Sequence, residues 1–197
     1  MERKLKPSIV EQKLRKEGVR LFSPEEFRRI FHVTRRAAQE FVKDHTHDLF
    51  LKLRNGLYAL RTDLPHDLEI ANRLYGPSYL SFEYALAHYQ LIPETVFAVT
   101  SATPRITREF LVQDRVYAYS RIKKKAYTGY RLLKVDTAQV LMAVPEKAFV
   151  DYCYFVDLRL KSLNERLRTR KLNAKEVFRF AHLFDRPGLL RRVKEIL

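Results

Sequence analysis

The sequence predicts an α+β fold in two domains, residues 1–62 and residues 63–197, and three observations carry that expectation. Helix-cap residues followed by apolar positions at helical spacing recur three times before residue 46, then give way to an alternating stretch with a central Asn-Gly. Short apolar and β-branched runs between residues 96 and 143 read as a small sheet. From Pro145 onward the spacing returns to that of helices.

The first helix is expected to start at Ser8, with Glu11 completing a capping box, and to end at Gly18. Its inner face is Ile9, Val10 and Leu14. Ser23, Pro24 and Glu26 mark the start of a second helix whose apolar face is Phe27, Ile30 and Phe31. His32 and Val33 make a short connection to Thr34, the N-cap of a third helix running to about His45. "DLFLKLRNGLYALRTD" follows, with Leu49, Leu51 and Leu53 alternating with Phe50, Lys52 and Arg54. Asn55-Gly56 is the preferred pair for a two-residue hairpin turn, where both central positions take positive φ.

Helix, helix, short turn, helix, β-hairpin is the order of a winged helix-turn-helix, whose third helix enters the DNA major groove while the hairpin touches the backbone. The third helix has a face to match. Arg35, Arg36, Gln39, Glu40 and Lys43 share one arc, opposite Ala37, Ala38 and Phe41 with Val42 at its edge. Arginine pairs bidentately with guanine edges and glutamine with adenine. Lys43 and the wing's Lys52, Arg54 and Arg61 would grip the backbone, which sets affinity and register rather than sequence choice, and Asn55 at the wing turn is counted with the DNA-binding residues. Thr34 and the helix N-terminus offer a phosphate cap. Glu40 reads as an i, i+4 partner of Arg36. A solvated charged face is the competing reading for any one such helix. The turn, the wing and the charge of this region together favour DNA.

Thr62 to His66, with Pro65, reads as a linker. Beyond it come a short helix from Asp67 to Leu74 and a helix capped by Ser81 with Phe82, Ala85, Leu86 and Tyr89 inside. Pro93 ends the latter, and Val96 to Thr100 reads as a strand. Further strands are expected within Glu109–Ser120, Gly129–Val135 and Gln139–Ala143. "VPEKAFVDYCYF" reads as a helix opening at Pro145, burying Phe149, Val150, Tyr152 and Cys153. The tail, residues 159–197, is expected to be helical: Leu160, Leu163 and Leu167 at helical spacing, a capping pair Asn173 and Glu176, then Leu189 to Leu197. The whole is thus a winged helix-turn-helix followed by a mixed α/β domain with a small sheet and a helical C-terminus.

Two stretches, "PSYLSFEYALAHYQLIPETVFAVTS" and "LMAVPEKAFVDYCYF", resemble the AbiEi family of antitoxins from bacterial abortive-infection toxin–antitoxin pairs. The first has a Tyr-x-Ser helix start, an Ala-Leu pair and a helix-ending Ile-Pro before a strand; the second has an Ala-x-Pro-Glu-Lys-Ala pattern followed by Asp151. With the "NGLYAL" wing, the likeness spans roughly Ile9 to Phe155. It implies a DNA-binding domain that represses the pair's own promoter, and a C-terminal domain that counteracts a nucleotidyltransferase toxin, with or without direct contact. Residues beyond Phe155 lie outside the likeness.

Composition sets the limits. The chain has 197 residues, a net charge of +15 and 46% hydrophobic residues including 13 Phe and 11 Tyr, enough for packed cores and basic enough for a polyanionic partner. Residues 1–62 hold 15 Lys and Arg against 8 Asp and Glu; residues 63–158 hold 11 of each; residues 159–197 hold 12 against 4. Two basic ends therefore flank a neutral middle. In the tail, Arg166, Arg168, Arg170, Lys171, Lys175 and Arg179 are expected to form a second polyanion surface, backed by an apolar stripe of Leu163, Leu167, Val177, Phe178, Ala181 and Phe184. RNA binding through this tail, shielding a tRNA-like substrate from the toxin, is the alternative function; a plain winged-helix transcriptional regulator is another.

No enzyme signature stands out. With five Gly there is no phosphate-cradling loop or nucleophile elbow, and the paired-Asp signature of nucleotidyltransferases is missing. His45-x-His47 is too little for a metal site, and no cofactor is expected. Asp136, Glu146 and Lys147 only loosely echo a nuclease core, with Glu146 better placed to face a helix N-terminus. "SRIKKKAYTGYR" mixes cations with Tyr127 and Tyr130, as single-stranded nucleic acid favours, though an exposed hairpin is the commoner meaning. The single Cys153 forms no internal disulfide and is expected half-buried. The N-terminal "MERKLKPSIVEQKLRKEG" lacks the apolar core of a secretory signal, and no apolar run nears the ~20 residues of a membrane span. A soluble cytoplasmic protein is expected.

Overall fold

A computed structural model describes residues 5–197; the first four residues of the charged N-terminal stretch lie outside it. Among the described residues the chain forms eight α-helices, nine strands and one short 3-10 helix, an α+β architecture. It divides into two compact units, one ending at His66 and the other spanning Asp67–Leu197. The first extends four residues past the expected boundary because the linker residues are tied into it. Thr62 donates to Glu11 at 2.6 Å, Arg15 donates to the Thr62 carbonyl at 2.9 Å, and Arg20 pairs with Asp63 at 3.2 Å.

The first unit runs α1 (Pro7–Lys16), β1 (Leu21–Phe22), α2 (Pro24–Phe31), α3 (Arg35–Asp44), β2 (Phe50–Arg54) and β3 (Leu57–Leu60). Its three strands are ordered β1-β3-β2, all antiparallel neighbours, completing the winged helix-turn-helix. The two-residue β1 is too short to leave a periodic signal and was not expected from the sequence. α1 starts at Pro7 with Lys6 as its N-cap, and Ser8 lies inside the helix, so the expected capping box is absent there. Gly18 does end it, at φ +66, with Gly18 donating to the Arg15 carbonyl and Val19 to that of Leu14. That is a Schellman motif, which satisfies carbonyls the helix end leaves open. Of the expected inner face, Val10 and Leu14 are buried and Ile9 is exposed. α2 has the full capping box: Glu26 N–H donates to the Ser23 hydroxyl and Ser23 N–H to the Glu26 carboxylate. One core gathers Val10, Leu14, Phe22, Phe27, Ala38, Val42 and Phe50.

The wing turn differs from the expected type. Gly56 has φ +78 and Asn55 is not among the positive-φ residues, while the β2–β3 register shifts between Lys52 and Arg54. The extra residue in β2 replaces the second positive φ as the means of matching strand twist. It also breaks the alternation, so that Phe50 and Leu53, three apart, are both buried.

The second unit holds α4 (Asp67–Leu74), β4 (Tyr79–Leu80), α5 (Phe82–His88), β5 (Val99–Thr103), β6 (Arg108–Val112), β7 (Arg115–Arg121), β8 (Tyr130–Val135), β9 (Ala138–Ala143), α6 (Pro145–Asp157), α7 (Ala174–His182) and α8 (Pro187–Ile196). Its six strands are ordered β6-β7-β5-β4-β9-β8, mixed in direction, with β5 parallel to β7 and β4 parallel to β9. The single run expected at Glu109–Ser120 is a hairpin turning at Gln113-Asp114, and the strand expected from Val96 starts at Val99.

Ser81 is the N-cap of α5, but its hydroxyl does not cap the helix. It donates to Asp151 at 2.8 Å, and Thr100 from β5 supplies the cap instead, accepting from Tyr84 N–H at 3.1 Å. The buried centre of this unit is a polar network on α6. Lys147 and Asp151, one turn apart and both fully buried, form an ion pair. Asp151 also accepts from the Tyr79 hydroxyl at 2.9 Å. Burial pushes the Lys147 ammonium down and the Asp151 carboxyl up from their ordinary ranges; their pairing and the two hydroxyl donors oppose this.

The tail departs most from expectation. Residues 158–173 form no helix; Leu160 is 68% exposed and Leu163 38% exposed, so the expected apolar stripe has no Leu163 in it. Arg159, at φ 58, turns the chain just past α6, and Leu160 and Lys161 donate back to the Phe155 carbonyl. Helix resumes at α7, where Asn173 accepts from Lys175 and Glu176 N–H, and Val177, Phe180, Ala181 and Phe184 are buried while Phe178 is half-buried.

Candidate nucleic-acid interface

α3 owes its orientation to its apolar side. Ala38 and Val42 are buried, and Phe41 stacks on Phe27 with ring centroids 5.5 Å apart. His32, at φ 52, ends α2 and lets the chain turn within three residues into α3. Thr34 begins α3 in extended conformation, its hydroxyl accepting from Ala37 N–H at 3.2 Å. That bond takes up one N–H of the helix N-terminus and leaves the Thr34 hydroxyl able to donate.

The other side of α3 is exposed at Arg35, Arg36, Gln39, Glu40 and Lys43. Arg36 pairs with Glu40 at 2.7 Å, the i, i+4 contact the spacing predicts. Among the described residues no hydrogen bond or ion pair engages the side chains of Arg35, Gln39 or Lys43. On the wing, Lys52 is exposed and equally unengaged among the described residues, whereas Arg54 curls back to the Asn55 carbonyl at 2.7 Å over the turn.

Arg61, past the end of β3, is exposed and also bonded within the unit. Its guanidinium donates to the carbonyls of Phe50 at 3.0 Å and Thr46 at 3.2 Å, while its N–H meets the Leu49 carbonyl at 3.0 Å. It fastens the end of β3 to the approach of β2 with two of its five side-chain N–H donors, and the residue stays exposed. The sequence showed only a cation after a strand; the bonds arise from long-range register.

The six tail cations do not form one helical surface. Arg166, Arg168, Arg170 and Lys171 lie in the irregular segment and Lys175 and Arg179 on α7. Arg166 pairs with Glu94 at 2.6 Å, and Arg179 pairs with Glu176 while lying 4.3 Å from the Phe180 ring centroid. The cations of "SRIKKKAYTGYR" are likewise separated from its rings: Tyr130 stacks on Tyr79 at 4.6 Å and Tyr127 lies 5.2 Å from it, turned inward, and Lys125 pairs with Asp185.

Among the described residues no three His, Cys, Asp or Glu side chains group as metal ligands. His45 is half-buried, 2.9 Å from Asp48. Asp136 sits in the β8–β9 turn and Glu146 beyond the far end of β9, roughly 20 Å apart at about 3.3 Å per strand residue. Glu146 accepts from Asn173 N–H at 3.2 Å. Cys153 is fully buried, as its place inside the helix opening at Pro145 predicts, and burial pushes its thiol well above the ordinary range. No helix among the described residues is long and apolar enough to cross a membrane.

Compared with known proteins, the chain matches no family model and no curated sequence. The geometry of α3 and the wing, together with the motifs themselves, is what bears on function.

Proposed function

We propose that this protein is a cytoplasmic DNA-binding repressor that reads double-stranded DNA at its own promoter, and that it serves as the antitoxin to a nucleotidyltransferase toxin. The observation that carries the DNA reading is the exposed face of α3: Arg35, Gln39 and Lys43 project without partners among the described residues, opposite the buried Ala38 and Val42. Side chains held by a rigid helix and free of internal partners enter a groove without first breaking bonds. The antitoxin role rests on the resemblance of "LMAVPEKAFVDYCYF" and "PSYLSFEYALAHYQLIPETVFAVTS" to the AbiEi family.

The deciding experiment is binding to the promoter duplex beside a scrambled duplex. Arg35→Ala and Gln39→Ala should each cost about 1–3 kcal/mol on the promoter and much less on the scrambled DNA. Equal losses on both would overturn base reading. For the antitoxin role, co-expression with a nucleotidyltransferase encoded beside this gene should restore growth; failure to do so would remove it.

A further inference from the structure

Two cavities in the second unit adjoin each other. One, of about 470 Å³, is lined by Tyr84, His88, Gln90, Glu94, Thr95 and Arg168 with apolar neighbours. The other, of about 490 Å³, is lined by Gln90, Leu91, Leu167, Arg168, Arg170 and Lys171 with Thr169. They share Gln90 and Arg168, and each falls in the size range of small-molecule pockets, about 300–1,000 Å³.

Their chemistries are complementary. The second cavity presents three cations and no carboxylate over a floor of Leu91 and Leu167. The Arg168 N–H donates to the Leu91 carbonyl at 2.8 Å, fixing the segment that carries these cations. Among the described residues the side chains of Arg168, Arg170 and Lys171 have no partner. The first cavity presents the planar side chains of Tyr84 and His88, one turn apart on α5. It also contains Glu94, whose Oε1 meets Arg166 at 2.6 Å.

Gln90 stands between the two. It is the residue past the C-cap of α5, at φ 57, with Gln90 N–H donating to the Ala87 carbonyl at 2.9 Å and Leu91 N–H to Leu86 at 2.8 Å. Glycine fits that left-handed position without strain. The chain instead keeps an amide there, with donors and an acceptor at the junction of both cavities.

We infer that this double cleft binds a nucleotide unit, its phosphate against Arg168, Arg170 and Lys171 and its base against Tyr84, His88 and Gln90. The unit is either a free nucleotide or one residue of a single-stranded nucleic acid, since both carry the same phosphate and base. Cations beside planar side chains are the usual means of holding such a unit. The site belongs to the second unit and does not depend on the promoter-binding reading of α3.

The test uses the full chain and a fluorescent 12-nucleotide single-stranded RNA of mixed sequence, with AMP and UMP as free-nucleotide probes. Replacing Arg168, Arg170 and Lys171 together by Gln should weaken binding of at least one probe about tenfold and flatten its salt slope by about 0.7 for each phosphate no longer neutralised. Promoter-duplex binding should be unchanged. Gln90→Gly should weaken the same probe several-fold while leaving thermal stability equal or higher, a combination that a purely structural residue does not produce. RNA binding that is competed by AMP or UMP at about millimolar concentration assigns the cleft to a free nucleotide; RNA binding that withstands them assigns it to the strand. Parental affinity for RNA, AMP and UMP in the triple variant overturns the inference.

Discussion

Two residues in the second unit show how a local environment sets the cost of a change. Lys147 and Asp151 are both fully removed from water, and Asp151 relies on Lys147, Tyr79 and Ser81 for its bonds. Lys147→Met should therefore cost about 3–5 kcal/mol, because it leaves a buried carboxylate without its counter-charge. The double variant Lys147→Met with Asp151→Leu should lose less than the single one, since no charge is then stranded. Urea unfolding of the three proteins checks this, and a double variant weaker than the single refutes it. Glycines supply a second contrast. Gly18 has φ +66 and open space around an added Cβ, so Gly18→Ala should cost about 1 kcal/mol of backbone strain. Gly129 has φ +77, and an added Cβ would meet the Phe180 ring at 2.5 Å and Lys147 at 3.0 Å. Gly129→Ala should cost about 3 kcal/mol, because overpacking adds to the strain.

At the scale of elements, the helices of the first unit were legible because their ends carry chemistry. Ser23 with Glu26, Thr34 and Gly18 each satisfy backbone groups that a helix end exposes, and that need is local. β1 was not legible, because two residues carry no period and Leu21 and Phe22 become a strand only by pairing with Ala59 and Tyr58. The tail failed for the opposite reason. Leu160, Leu163 and Leu167 have helical spacing, yet Arg159 reverses the chain and Tyr152, accepting from Asn164 N–H at 2.9 Å, holds the segment irregular. The exposed face of α3 was legible from its period, whereas the internal bonds of Arg61 and the junction at Gln90 depend on register and φ, which spacing does not encode. These differences separate two wing cations. Arg61→Ala should lower stability by about 1 kcal/mol, because the Phe50 and Thr46 carbonyls then go without their guanidinium donor, and leave the salt dependence of DNA binding intact. Lys52→Ala should leave stability intact and reduce the salt slope by about one. Thermal melts paired with salt titrations of binding decide between these roles, and the reverse pattern would return Arg61 to the phosphate-contacting set.

For the whole molecule, the division at His66 has a measurable consequence. The core of Val10, Leu14, Phe22, Phe27, Ala38, Val42, Leu49, Phe50 and Leu60 lies wholly in the first unit, and the Lys147 network wholly in the second. A domain of this first unit's size buries a smaller share of its surface than a larger one and is only marginally stable. The fragment of residues 1–66 should nevertheless fold, because the capping box, the wing register and the aromatic cluster all close within it. It should bind promoter DNA without protecting cells from the toxin, and residues 67–197 should protect without binding the promoter. Cys153 gives an independent probe of the second unit: its buried thiol is pushed up in pKa and shielded, so a thiol reagent at pH 8 should reach it only when that unit opens. In a urea series on the full chain, loss of promoter binding should follow the midpoint of the isolated 1–66 fragment, and Cys153 labelling that of the isolated 67–197 fragment. If binding and labelling instead change together at one midpoint that neither fragment shares, the two units fold as a single cooperative body and the division of roles falls with it.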